Sequence, residues 1–324
     1  MPIASFTQRT RALVALVLGL TVVAAGFLWW QALRSQDQLR QQVLQQAEQR
    51  SLHLADAMAG QVSSLLSILD LELLELRREW ARDPENFDAV VRGVLATLPK
   101  GFVSHVSVSD VAGQIVYSTV PMSRPTNIAD REHFLTFAGG GDRLFIGKPV
   151  QSRLVDGWAF VATRPIASDG DFAGVINLVV STDYMASKLA ALRLSDDDVV
   201  TLVHDDGSFM ARSLDNASAM GNRLPADRPF LVDPGLPKGS FKTRGVVDGK
   251  PRTYGWHRLG NTGLIVAIGL ADAAVLAPLA PALKRASSVA AVLSVLVLLS
   301  GGLIAALIAR VSRTQSADHW AKGV

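Results

Sequence analysis

The chain has 324 residues, 49% of them hydrophobic and 19% charged, with a formal net charge of +3 and no cysteine. Its positive mean hydropathy is high for a soluble protein and points to membrane segments. The small charge excess, with no Lys/Arg block alternating with aromatics, argues against a nucleic-acid partner. The missing thiols exclude disulfides and thiolate metal sites.

An uncharged run extends from Ala12 to Trp30, and another from Ala286 to Ala309. Each matches the roughly 20 residues a helix needs to cross the hydrocarbon core. The first is longer than the ~7–15-residue apolar core of a cleavable signal, and bulky Trp29-Trp30 stands where small cleavage-site residues belong, so it reads as a retained anchor. Arg9 and Arg11 precede the first span, and Arg310, Arg313 and Lys322 follow the second. The positive-inside rule then puts both termini in the cytoplasm, against a weaker contrary signal from Arg34, Arg40, Lys284 and Arg285. Roughly 250 residues are left outside the cytoplasm, enough for two small domains.

After Trp30 a stretch rich in Gln, Leu, Ala, Glu and Arg runs to about Arg82 without proline. Its composition favours helix, and Leu39, Val43, Ala47, Leu54, Met58, Leu65, Ile68 and Leu76 form one stripe. The stripe is either the face laid along a domain or the seam of a parallel dimer. Asp83-Pro84 supplies an N-cap and first position for a helix with Phe87, Val90, Val91, Val94, Leu95 and Leu98 on one face.

Short strands follow in FVSHVSV and QIVYST, around a turn at Asp110–Gly113. Asp130 is the expected N-cap of a short helix, REHFLTFA, and Gly139 its terminator. The glycines of FAGGGDRLF then read as helix-ending punctuation, because a phosphate cradle needs them to open a helix after a strand. LFIGKPVQSRLV and WAFVATRPI read as strands joined by a two-residue turn at Asp156-Gly157. GVINLVVSTDYM leads into the helix MASKLAAL. A smaller version follows: VVTLVHDDGSFMARS, then GSFKTRGVV and RTYGWHRL around Asp248-Gly249, then GLIVAIGL. Asp196-Asp197-Asp198 reads as a solvated turn.

This order resembles the double Cache family, the tandem PAS-like extracytoplasmic sensor modules. The resemblance rests on DREHF, LFIGKPVQSR, GWAFVATRPI, DFAGVINLVVSTDYM, DDGSFMARS and VDGKPR in that order. It implies an α+β fold, a long N-terminal helix followed by two PAS-like antiparallel-sheet domains, flanked by two transmembrane helices. The expected division is a cytoplasmic N-terminus (1–11), span (12–30), long helix (31–82), membrane-distal domain (83–193), membrane-proximal domain (194–270), linking helix (271–285), span (286–309) and cytoplasmic tail (310–324). Such modules head histidine kinases, diguanylate cyclases and chemoreceptors, whose output domains follow the second span. About fourteen residues remain here, too few for a folded domain. The expectation is therefore either a sensor acting through a separate kinase or cyclase partner, or the input portion of a truncated kinase or cyclase. An envelope scaffold without a ligand is the third reading.

The resemblance implies a ligand pocket in the distal domain. With a two-residue turn at Asp156-Gly157, Val155 pairs with Trp158, Arg153 with Phe160 and Gln151 with Ala162, which puts Arg153, Trp158, Phe160 and Arg164 on one face. Guanidinium forks suit carboxylates, and Arg131 adds a third cation at the start of its helix. Some members of the family bind amino acids through an Arg followed two and three residues on by Trp and Tyr, with a distant Asp for the ammonium group. Arg131 and Asp183 match that pattern, and His133 and Phe134 depart from it. The expected ligand is a small organic acid or amino acid held by Arg131, His133, Phe134, Arg153, Trp158, Arg164 and Asp183. Plainer roles stand beside this one: Arg153 on a solvated edge, Arg164 paired with Asp169 or Asp171, Asp183 as a helix cap, and Trp158 in the core. The six histidines are scattered, and no metal, cofactor or catalytic constellation is expected. The chain reads as a sensor of the inner membrane with a periplasmic ligand domain, forming a homodimer along the helical stripe.

Overall fold

The computed structural model describes residues 3–321 except 123, 155, 156 and 169. Asp156 of the predicted turn, Val155 (expected to pair with Trp158), the proposed Arg164 partner Asp169, and Lys322 lie outside the described residues. The chain divides into two compact units, residues 1–45 with 276–324, and residues 46–275. Two helices are long and apolar enough to cross a membrane.

Helix α1 runs from Ile3 to Arg82 and α2 from Phe87 to Thr97. Asp83 does not cap α2 directly. Its carboxylate accepts from the backbone and side-chain amides of Asn86, and Asn86 is the N-cap. The first sheet contains β1 (Val103–Ser109), β2 (Ile115–Ser118), β3 (Phe145–Ile146), β4 (Val150–Gln151), β5 (Trp158–Ser168) and β6 (Asp171–Ser181). Helix α3 (Glu132–Ala138) interrupts it between β2 and β3. The antiparallel order is β2-β1-β6-β5-β3, with β4 also on β5. Helix α4 (Thr182–Ala190) starts after Ser181, whose hydroxyl accepts from the Tyr184 amide at 3.2 Å.

The second sheet comprises β7 (Val199–His204), β8 (Phe209–Arg212), β9 (Lys238–Arg244), β10 (Pro251–Arg258) and β11 (Leu264–Ala271), in the order β8-β7-β11-β10-β9. Two single-turn helices, α5 (Asn216–Ala219) and α6 (Pro229–Val232), lie between β8 and β9. The chain continues through α7 (Asp272–Leu276), a 3₁₀ turn at Ala277–Leu279 and α8 (Ala280–Ala321). Pro278 and Pro281, which lack amide donors, account for the broken start of that helix.

One core cluster joins α1 to both sheets. The buried face of α1 in this unit is Ala55, Met58, Val62, Leu66, Leu69, Leu73 and Leu76, at separations of three and four. Of the predicted stripe, Ala47, Met58 and Leu76 are buried, whereas Ile68 is 42% exposed. At the second sheet the approach is backbone to backbone. A Cβ on Gly255 would fall 2.3 Å from the Ser51 carbonyl carbon, so only glycine fits there.

Two predicted elements differ. The long strand over LFIGKPVQSRLV is two short pieces broken at Gly147-Lys148-Pro149. Pro149 has no amide to donate to a ladder. The register also differs: Gln151 pairs with Trp158 and Val150 with Ala159. Six residues rather than two therefore connect β4 to β5, and Arg153 lies in the loop rather than opposite Phe160. Nor is the Asp196–Asp198 run a solvated turn. Asp198 is buried and accepts from the Ala271 amide at 2.8 Å, and the Asp197 carbonyl accepts from Arg252.

Candidate ligand pocket on the first sheet

Side chains alternate along a strand, so each face of the first sheet has its own composition. The face away from α1 presents a polar row across three strands, because Thr163, Asn177 and Ser107 are in direct register. Thr163 Oγ1 donates to Asn177 Oδ1 at 2.7 Å, and all three residues are buried. The next row is Val161, Val179 and His105. His105 Nδ1 sits 3.1 Å from the Ser104 hydroxyl.

Over this floor lies the segment between β2 and β3. Asn127 shapes it: its amide donates to the Ala112 carbonyl and Gln114 Oε1, and its own oxygen accepts from the Ala129 amide. The floor and this segment enclose a cavity of about 60 Å³ lined by His105, Ser107, Arg131, His133, Arg153 and Asn177 together with apolar side chains. At roughly 10–15 Å³ for each water-sized probe, it admits about four to six such groups. Among the described residues no Asp or Glu lines it.

The two cations at the cavity differ. Arg153 reaches in from the β4–β5 loop and forms a fork with Asp130 at 3.1 and 2.8 Å, also donating to the Asn127 carbonyl. Arg131 is the N-cap residue of α3, in place of the predicted Asp130, and offers no side-chain cap. Among the described residues its guanidinium has no hydrogen-bond or ion-pair partner. Burial and the neighbouring Arg153 push its pKa down, while Asp130 opposes them. A partly buried, unpaired guanidinium beside a second cation is a place where an anion is stabilised.

His133 is 9% exposed. Burial, then the Arg131 charge, lowers its pKa to about 4, and burial does the same for His105. Both rings are neutral near pH 7. Between about pH 6.5 and pH 4 the unfolded chain takes up protons on these histidines that the folded chain refuses, so stability rises with pH across that window. Denaturant unfolding is expected to show a loss of about 3 kcal/mol per histidine from pH 7 to pH 4. His133→Gln is expected to remove about half of that dependence.

The other predicted site residues lie elsewhere. Phe134 is buried beside the cavity in a cluster with Ile128, Phe137 and Val175, and it meets Phe172 edge-on at 5.3 Å. Trp158, Phe160 and Arg164 do share a face, as alternation requires, but it is the opposite face. Arg164 forms a fork to Asp70 of α1 at 2.7 and 2.8 Å and also binds Asp142. Trp158 packs against Phe209 and Met220 of the second module, and a Cβ on Gly221 would lie 3.0 Å from its ring. Asp183 accepts from Asn216 Nδ2 at 2.8 Å, across the same boundary, while Ser181 caps α4. Lys148 adds a third link, to Asp206 at 3.2 Å. The one-face argument thus picked the strand and missed the side. The signal that finds the right side is the small and polar alternation Ala159-x-Val161-x-Thr163 opposite Asn177 and Ser107. The three glycines follow the predicted role: Gly139 ends α3, and Gly140 and Gly141 take positive φ.

No family model matches the chain, and no curated protein matches it in sequence. Solved structures do match. The extracellular domain of rpHK1S-Z16, assigned as a histidine kinase, aligns with a TM-score of 0.64 at 24% identity over 72% of this chain and 98% of that one. The ligand-binding domain of the Pseudomonas aeruginosa PAO1 amino acid chemoreceptor PctB, in complex with L-Arg, gives 0.54 at 16% identity over 68% and 92%. That of the Pseudomonas fluorescens chemoreceptor CtaA, with L-isoleucine, gives 0.56 at 16% identity over 74% and 98%. The fold is that of the extracellular sensor domains of histidine kinases and chemoreceptors, in agreement with the double Cache resemblance.

Proposed function

We propose that this chain is a membrane-anchored sensor that binds a small carboxylate in the first of its two sheet modules. Arg131 carries the reading. Its guanidinium is unpaired and faces a polar-floored cavity, where it is free to hold a carboxylate. Arg153, already bound to Asp130, supplies a second positive charge and His133 a neutral ring donor. Among the described residues no Asp or Glu lines the cavity, which favours an organic acid over an amino acid, whose ammonium group would need a carboxylate partner. The free guanidinium also favours a sensor over a ligand-free scaffold, in which such a group would only cost stability.

The two apolar helices anchor the chain in the inner membrane with the sheets in the periplasm and residues 83–193 as the membrane-distal domain. A homodimer forms along the exposed apolar face of α1, where Ile68 and Leu71 are 42% and 67% exposed. The signal passes across the membrane through the second apolar helix. Ligand binding acts only by preferring one of two states, and the Trp158, Asp183 and Lys148 contacts are the connections through which the first module biases the second. Calorimetry of the full chain in detergent against panels of C2–C4 organic acids and amino acids tests the reading. Saturable binding of an organic acid is expected, and binding of amino acids alone would overturn it.

A further inference from the structure

The second module repeats the first in more than strand order. The order β8-β7-β11-β10-β9 superposes in sequence on β2-β1-β6-β5-β3. The segment after each second strand is tied down identically: Ile128 N donates to Gly113 O, and Leu224 N donates to Gly207 O, both at 2.8 Å. Isolated bridges Gln114↔Asn127 and Ser208↔Arg223 stand at matching places. Each segment then carries the same short word, Ala129-Asp130-Arg131-Glu132-His133-Phe134-Leu135 in one and Ala226-Asp227-Arg228-Pro229-Phe230-Leu231 in the other. Each arginine is the N-cap residue of its short helix. Arg228 is the counterpart of Arg131.

Beneath Arg228 lies a cavity of about 30 Å³ on the matching sheet face, lined by Thr201, Arg212, Arg228, Thr243, Arg244 and Tyr254 together with apolar side chains. Among the described residues no carboxylate lines it either. Arg212 is 3% exposed and Arg252 fully buried, and both lean on one carboxylate. Asp248 receives the Arg252 fork at 2.8 and 2.7 Å and Arg212 at 3.0 Å. The other acid near Arg212 is half-exposed Asp215 at 3.7 Å. Arg228, itself 8% exposed, lies 5.8 Å over the Phe241 ring, and its one ion pair is to the solvent-facing carboxylate of Asp227. Buried guanidiniums outnumber buried carboxylates around this space, and a bound anion would offset that excess.

We propose that the second module holds its own anion site, a pocket for a compact oxyanion such as a short carboxylate or phosphate, with Arg228 and Arg212 as the binding groups and Thr201 and Thr243 supplying hydroxyls. With about half the volume of the first cavity, it suits an anion smaller than the ligand of the first module. The chain then reads two anions.

Trp256 sits beside this pocket. Its ring lies 5.4 Å from Phe230, which lines the cavity. The full chain, labelled with ¹⁵N-tryptophan and held in detergent, is titrated with sodium acetate, phosphate and sulfate against sodium chloride at equal ionic strength. Trp256→Phe identifies the resonance. The Trp256 indole signal is expected to move saturably with at least one oxyanion, at least tenfold more weakly in Arg228→Gln and unchanged in Arg131→Gln. No saturable movement with any of the three, or an unaltered response in Arg228→Gln, overturns the proposal. Should Arg228→Gln lose its dispersed spectrum, Thr201→Val replaces it and must weaken the response at least threefold, or the proposal fails.

Discussion

Arg131→Ala is expected to weaken binding of the organic acid by roughly 10- to 100-fold. A hydrogen bond to a charged group contributes about 1.5–3 kcal/mol, and each 1.4 kcal/mol is about a factor of ten in affinity. The loss should approach the upper end because the planar fork matches a carboxylate's two oxygens. Arg153→Ala should cost less, since that side chain is held by Asp130 and acts on the ligand mainly through its charge. Arg164→Ala is the internal control. It lies on the α1 side of the sheet, bound to Asp70 and Asp142, so calorimetry should find affinity intact while thermal unfolding comes earlier. An equal loss of affinity in Arg131→Ala and Arg164→Ala would mean that the cavity is not the binding site.

Asp248→Ala should be among the most damaging single substitutions in the chain. It leaves Arg252 and Arg212, 0% and 3% exposed, without their shared counter-charge. Breaking a buried pair by removing one partner typically costs about 3–5 kcal/mol. For a folded unit of this size that lowers Tm by on the order of 10 °C. Asp248→Asn keeps acceptor oxygen and shape and should recover part of the loss. Circular dichroism melting curves of the three proteins decide it, and a change of under about 1 kcal/mol in Asp248→Ala would show that solvent already neutralises the cluster.

The fold was legible because its signals are local. Strand alternation and the Asp248-Gly249 turn each need only a few neighbouring residues, and tandem order did the rest. The sidedness of the site was not. Alternation says that Trp158, Phe160 and Arg164 share a face, but it cannot say which face meets α1, because that depends on packing across about 94 residues, as in Asp70 with Arg164. The register of β4 failed for a different reason. A two-residue turn was locally attractive at Asp156-Gly157, while the break at Pro149 shifted the pairing. Arg131 was singled out because it stands in a motif, and Arg228 was passed over because ADREHFL and ADRPFL differ by Glu-His against a lone Pro, which hides the repeat until both segments are seen tied to Gly113 and Gly207.

Strand β5 carries a further consequence. Odd-numbered Ala159, Val161 and Thr163 belong to the ligand floor, whereas even-numbered Trp158, Phe160 and Arg164 belong to the second module and α1. The strand is therefore a two-sided ruler, and its length is constrained far more tightly than its composition. Many substitutions on either side stay on that side. One inserted or deleted residue would exchange the sides, turning Arg164 toward the ligand and Thr163 toward α1. In this chain a length change is therefore expected to cost far more within the strand than before Trp158, where no downstream side chain has to turn over.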